Sequence, residues 1–320
     1  MSETILEIKD LKKYFPLANG KSVKAVDGVS LQLYKGETLG LVGESGCGKS
    51  TIAYMVVGMY GATEGQILYK GTDLAEKGYK RTLKQKGEIQ IVFQDPGSSL
   101  NSRRTIQKSL EVPLDVHFKH MTKAEKVARI DELLELVGLP AEFKGKMPRN
   151  IGGGERQLVS VARALETNPE LMILDEPTSA LDVSIQAKVI STLIDLQKKL
   201  NLSYLFITHD LSLMRNVATR VAILYLGKLC ETAPTAEFFR EPMHPYTQML
   251  LSSIPTATDE EEKLKPEKII STGEIPSPVN VPSGCTFHTR CRDCMEICKH
   301  EAPVMKEIAP DHFVCCHKFD

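Results

Sequence analysis

Apolar positions along this chain change their spacing several times, and each change predicts an element. Residues 4 to 35 are patterned as strands, with Ile5 and Ile8 and then Val29, Leu31 and Leu33 on one face, and glycines 20, 28 and 36 at turns. An antiparallel sheet is expected there, extended by Gly65–Tyr69. Thr38–Val42 and Ile89–Phe93 are short apolar runs of the kind buried on both faces, and Ile52–Met59 predicts an apolar helix. From about Asp95 to Asn150 the period becomes helical. Thr122 and Glu125 form a capping box, and Val127, Ile130, Leu134 and Val137 form an apolar face that stops at Gly138. Strand and helix then alternate: Leu171–Leu174, a helix carrying Ile190, Leu193, Ile194 and Leu200, the strand Tyr204–Thr208, and a closing hairpin over Val221–Glu231. Such alternation predicts an α/β fold with a mostly parallel sheet.

The loop between the first buried strand and its helix reads Gly43-Glu44-Ser45-Gly46-Cys47-Gly48-Lys49-Ser50-Thr51. This fits G-x-x-x-x-G-K-[S/T], in which backbone N–H groups and the following helix start cradle phosphate. Lys49 is expected to neutralise the β- and γ-phosphates, and the Ser50 hydroxyl to ligate Mg²⁺. A second motif ends the strand Leu171-Met172-Ile173-Leu174 with Asp175-Glu176-Pro177, two carboxylates at the edge where parallel sheets place ligands. Asp175 suits Mg²⁺ and Glu176 an attacking water.

With these two motifs the chain resembles the nucleotide-binding subunits of ABC transporters over nearly all of residues 4–255. The resemblance implies a P-loop NTPase (RecA-like) core, an N-terminal antiparallel β subdomain and a helical subdomain inserted at about 95–165. It implies that Gln94 senses Mg²⁺ and water, that Asp182 in Ser179-Ala180-Leu181-Asp182 crosses a dimer interface, and that His209 touches the γ-phosphate. Phe15 matches the aromatic that stacks on adenine, with Tyr14 as the alternative.

One stretch departs from the family pattern. Where Leu-Ser-Gly-Gly-Gln is usual, the chain has Ile151-Gly152-Gly153-Gly154-Glu155. Gly152 lacks the hydroxyl that would bond the partner's γ-phosphate, and Glu155 sets a carboxylate where a neutral amide is usual. A heterodimer with one strong and one weak hydrolysis site is expected.

Beyond residue 240, His244-Pro245-Tyr246-Thr247 resembles a segment of the oligopeptide/dipeptide/nickel importer ATPases. That family implies an iron–sulfur cluster, [4Fe–4S], on Cys285, Cys291, Cys298 and Cys316. A zinc site built on Cys291 and Cys294 with His288, His300 or His317 is the alternative. Cys47 and the overall length resemble the F-type subunit that pairs with a D-type ATPase, two permeases and an extracytoplasmic binding protein. A linker is expected at 256–283, with five prolines from Pro255 on and the acidic run Glu260–Glu262, and a Cys-rich extension at 284–320.

Composition bounds these readings. The 320 residues suit about two domains of roughly 150. Forty basic against 41 acidic side chains leave a net charge of −1, which argues against nucleic acid as the main partner. The start lacks a basic-then-apolar leader, and no run approaches the ~18 apolar residues of a membrane span. A place at the cytoplasmic face of the membrane, through permeases, is therefore expected. A soluble ABC ATPase of translation or repair is the other reading, and it fits less well: there is one cassette and no heptad run.

Overall fold

The computed structural model describes residues 3–18, 20–254, 269 and 273–320. The boundary at Pro255 and most of the expected linker, with its acidic run, lie outside the described residues. The described residues fall in two compact units, one within Glu76–Ile207, Met1–Ile5 and Leu33–Thr38, the other within Leu6–Gln32, Leu39–Ala75 and Thr208–Asp320.

In the first unit the strands Ile89–Val92, Leu171–Asp175 and Ser203–Thr208 pair in parallel, with Ile89 opposite Leu171 and Leu171 opposite Ser203. Leu171, Met172, Ile173 and Leu174 are fully buried, as a run without polar interruption requires. Each such side chain contributes about 1.5–3 kcal/mol by leaving water. The helices Ile106–His117 and Lys123–Leu136 fill the stretch whose period predicted them, and the helix Gly153–Leu165 follows it. The Thr122–Glu125 capping box is present: Thr122 N–H donates to Glu125 at 2.7 Å, and Glu125 N–H to the Thr122 hydroxyl at 3.3 Å. The buried face of that helix is Ile130, Leu133, Leu134 and Val137, while Val127 is only half-buried. In the helix Val183–Leu200, Val189, Ile190, Leu193 and Leu196 go inward, and Leu200 is exposed at the end.

The second unit carries most of a four-stranded sheet built on Thr4–Pro16, Ser22–Tyr34, Glu64–Tyr69 and Thr72–Asp73. Its other strands begin with Thr38–Val42, which pairs in parallel with Arg220–Tyr225 (Leu39 opposite Arg220). The expected hairpin follows, turning through Leu226 and Gly227 into Lys228–Pro234. It is not an edge: His312–Val314 lies antiparallel against it, with Glu231 opposite Val314 and Thr232 opposite Phe313. The cysteine-bearing tail thus adds strands to the sheet that carries the phosphate-type loop. The helix after that loop runs Lys49–Val57 and ends at the left-handed Gly58, short of the predicted Met59, which is exposed.

Candidate functional site

The Gly43–Thr51 loop curls as its glycines permit. Gly48 sits at φ +113°, and a Cβ there would lie 2.2 Å from the Ala25 carbonyl oxygen. Lys49 is 4 % exposed; its ammonium donates to the carbonyls of Gly43 at 2.7 Å and Glu44 at 3.0 Å. Gly227 N–H donates to the Cys47 carbonyl at 2.9 Å, tying the loop to the hairpin turn. The Cys47 thiol is buried, and burial raises its pKa, so it is a packing group here. Ser45 and Gly46 at the loop tip are exposed, and Ser50 at the helix start is half-buried. The cradle of a phosphate loop, a curled backbone with a lysine folded into it, is complete.

Glu176 follows the buried strand at φ +46°, its N–H donating to the Ile207 carbonyl at 2.9 Å. A left-handed conformation at a non-glycine residue is costly and clusters at functional sites. Gln94, just past Ile89–Val92, donates its side-chain amide to the Glu176 carboxylate at 3.1 Å. Asp175 is fully buried. His209 is exposed, directly after the strand Ser203–Thr208 and before the capping residue Asp210. Phe15 lies edge-on to Tyr60 at 5.5 Å with the Lys13 ammonium 5.0 Å from its ring centre. The Tyr14 hydroxyl is bonded to Asp27.

Gly152 is the N-cap of the helix Gly153–Leu165. Its N–H donates to the Glu155 carboxylate at 2.7 Å, so Glu155 caps its own helix and complements the positive helix end. Gly154 is buried: a Cβ would lie 2.1 Å from Ile185 Cγ2, so only glycine lets the two helices approach. Asp182 is the N-cap of the helix that bears Ile185, accepting from Ile185 N–H at 3.1 Å.

The tail brings residues that sequence reasoning missed. Arg290, 7 % exposed, grips the Glu44 carboxylate with both prongs, at 2.8 and 3.0 Å, and lies 3.4 Å from the Tyr225 hydroxyl. The Tyr246 hydroxyl accepts the Glu44 N–H at 3.1 Å. Tyr225, Tyr246 and Phe287 pack with ring centres 4.7 to 5.2 Å apart. The fully buried Glu231 accepts from Met243 N–H and His244 N–H, each at 2.9 Å, and from His312 Nε2 at 2.8 Å. Burial drives the His244 pKa down to about 4, so its neutral Nδ1 is available to cap Tyr246 N–H at 3.0 Å. A carboxylate inside a phosphate loop signals that some cation must neutralise it, but nothing local in sequence says which.

Among the described residues no group of three or more His, Cys, Asp or Glu is gathered tightly enough to hold a metal ion. The cysteines are neighbours nonetheless. Cys285 N–H donates to the Cys298 carbonyl at 2.8 Å. Burial first, then the fields of Cys298 and Cys316, push the Cys285 thiol up to about 11; burial, then the Asp293 carboxylate ahead of Cys285 and Cys316, pushes Cys291 to about 12. Cys315, one of the two extra tail thiols, donates to the Pro303 carbonyl at 3.2 Å. Of the zinc-alternative histidines, His317 has both ring nitrogens engaged, with Asp320 at 2.5 Å and the Glu301 carbonyl at 2.9 Å.

Comparison with known proteins gives the same outline. A family model described as "ABC transporter" matches residues 26–179, and one described as "Oligopeptide/dipeptide transporter, C-terminal region" matches residues 230–298. The chain is 50% identical to the oligopeptide transport ATP-binding protein AppF of Bacillus subtilis, covering 99% of this chain and 98% of the relative. It is 41% identical to the dipeptide transport ATP-binding protein DppF of Haemophilus influenzae, covering 99% and 97%. The oligopeptide transport ATP-binding protein OppF of Escherichia coli is also 41% identical, with the same coverage. Among solved structures, an ATP-binding cassette in a dimeric post-hydrolysis state with ADP and phosphate matches at TM-score 0.66 and 26% identity, over 72% of this chain and 98% of that one. The cassette cbiO1 from Clostridium perfringens matches at TM-score 0.65 and 26% identity, over 75% and 92%.

Proposed function

This chain belongs to the ABC transporter ATP-binding subunits of the oligopeptide/dipeptide class, and we propose that it hydrolyses Mg·ATP to drive a bacterial peptide importer. The observation that carries the reading is the phosphate loop itself, with the Lys49 ammonium buried on the Gly43 and Glu44 carbonyls. Loop amides and Lys49 bind the β- and γ-phosphates, and the Ser50 hydroxyl, Asp175 and Gln94 serve Mg²⁺. Phe15 stacks on adenine. Glu176 is the base for the attacking water, held by Gln94, and His209 senses the γ-phosphate.

Gly152, Gly153, Gly154, Glu155 and Asp182 face the nucleotide of a second, D-type ATPase subunit, and the degenerate signature makes that site the weak one. Two permeases and an extracytoplasmic binding protein complete the importer. No helix among the described residues is long and apolar enough to cross a membrane; attachment at the cytoplasmic face runs through the permeases. The test is ATP-dependent uptake of labelled di- and oligopeptides by the complex in proteoliposomes. Uptake of nickel chelates alone, or ATPase activity that no permease stimulates, would overturn it.

The tail is the proposed [4Fe–4S] site, on Cys285, Cys291, Cys298 and Cys316. What supports it is the family resemblance and the Cys285 N–H bond to the Cys298 carbonyl, which brings two of the four residues together. The cluster would supply iron–thiolate bonds that staple the tail. Iron and sulfide assay of anaerobically purified protein should find about four of each per chain; one zinc and no iron would reverse the assignment.

A further inference from the structure

Glu44 is an awkward residue to find in a phosphate loop, because its carboxylate shares the loop with a polyanion. Every polar group of this residue is nevertheless pinned. Its side chain lies in the two-pronged grip of Arg290 at 2.8 and 3.0 Å. Its N–H donates to Tyr246 Oη at 3.1 Å. Its carbonyl accepts from the Lys49 ammonium at 3.0 Å and from Cys47 N–H at 3.3 Å. Residue 44 therefore helps, together with the Gly43 carbonyl at 2.7 Å, to set the resting position of the lysine that must meet the phosphates.

Arg290 comes from the tail, 246 residues along the chain from Glu44, and its guanidinium is buried against Tyr225 and Phe287. The Glu44 carboxylate holds its pKa above the ordinary arginine range. Arginine suits this place because its planar fork matches a carboxylate bidentately, which a lysine cannot do. A charge-assisted pair with one partner 7 % exposed is little weakened by solvent, unlike a surface pair.

We propose that Arg290 is a positioning residue of the ATP site. It cancels the Glu44 charge beside the phosphates and, through Glu44, fixes the loop backbone and Lys49. Tyr246 assists by holding the Glu44 amide. The tail is thus part of the nucleotide site's support. This inference deepens the ATPase reading and rests on Lys49 binding phosphate.

The test is equilibrium binding of Mg·ATP, with kcat and KM, for full-length variants in the assembled complex. Arg290→Ala should weaken Mg·ATP binding and raise KM by about ten-fold, with kcat within about two-fold. Adding Glu44→Gln to Arg290→Ala should restore binding to within about two-fold of wild type, since the uncancelled carboxylate is then gone. A merely structural arginine would not be rescued in this way. If Arg290→Ala fails to fold, Arg290→Lys keeps the charge without the fork and should raise KM by about three-fold. Wild-type affinity in Arg290→Ala or Arg290→Lys, or a defect that Glu44→Gln does not relieve, overturns the proposal. Lys49→Ala serves as the reference. If it loses ATP while Arg290→Ala keeps it, only this inference fails; if it too binds normally, the nucleotide-site reading fails.

Discussion

Gly152 and Glu155 offer a quantitative test of the weak-site reading. A serine hydroxyl donated to a γ-phosphate is a charge-assisted bond worth about 1.5–3 kcal/mol. At about 1.4 kcal/mol per factor of ten, its absence costs roughly ten- to hundred-fold in closed-dimer stability or turnover at the site it serves. The structure has room for a Cβ on Gly152: it meets only the Glu155 carboxylate, with Oε2 at 3.5 Å, an ordinary contact. That same neighbour would compete for the hydroxyl, so Gly152→Ser alone should recover only part of the deficit. Gly152→Ser with Glu155→Gln should recover most, because the amide oxygen still accepts the residue 152 N–H while the repulsive charge is gone. The charge also complements the helix end, so Glu155→Gln alone should lower the subunit's stability by about 0.3–1 kcal/mol. ATP turnover of the complex is measured with Glu176→Gln also present, which silences this chain's own site so that the partner's site, the one this signature serves, reports alone, and urea unfolding measures the stability cost. Unchanged turnover in the double variant, or full recovery with Gly152→Ser alone, would show that these two side chains do not weaken the site.

Two further outcomes follow from buried groups in the helical part. Burial raises the Glu166 carboxyl to about 8 from its ordinary 4.5, so the folded chain holds a proton that the unfolded chain has released over that range. This group's contribution is therefore largest below about pH 4.5 and is lost as pH rises toward about 8. Glu166→Gln should exceed wild type in urea midpoint by a margin that grows from about pH 6 to about pH 8, and a margin independent of pH would mean that the carboxyl does not titrate there. Gly154→Ala should destabilise by about 1–3 kcal/mol, since its Cβ overlaps Ile185 Cγ2. Adding Ile185→Ala should return part of that loss, and strictly additive effects would show that the clash is not the cause.

Much of this protein is legible in its sequence because the informative signals are local. Leu171–Leu174 announces a doubly buried strand by lacking any polar position, and the Gly43–Thr51 spacing announces its own curl. Helix faces are read to within one position. Leu133 is missed on one helix and Leu196 on another, because one turn offers two near-equivalent faces. Long-range polar pairing leaves no such trace. The family resemblance brings Gln94 and Glu176 to one water, but nothing near Glu44 points to Arg290, 246 residues on. His312–Val314 is too short for a period, so its addition beside Lys228–Pro234 emerges only from the fold.

In the proposed reading Glu176, steered by Gln94, takes the proton of the water that attacks ATP. Glu176→Gln in the assembled importer probes this by single-turnover hydrolysis alongside equilibrium Mg·ATP binding. Affinity should stay within about three-fold of wild type, while hydrolysis slows at least about a hundred-fold at this chain's own site. Wild-type turnover in that variant would remove Glu176 as the base.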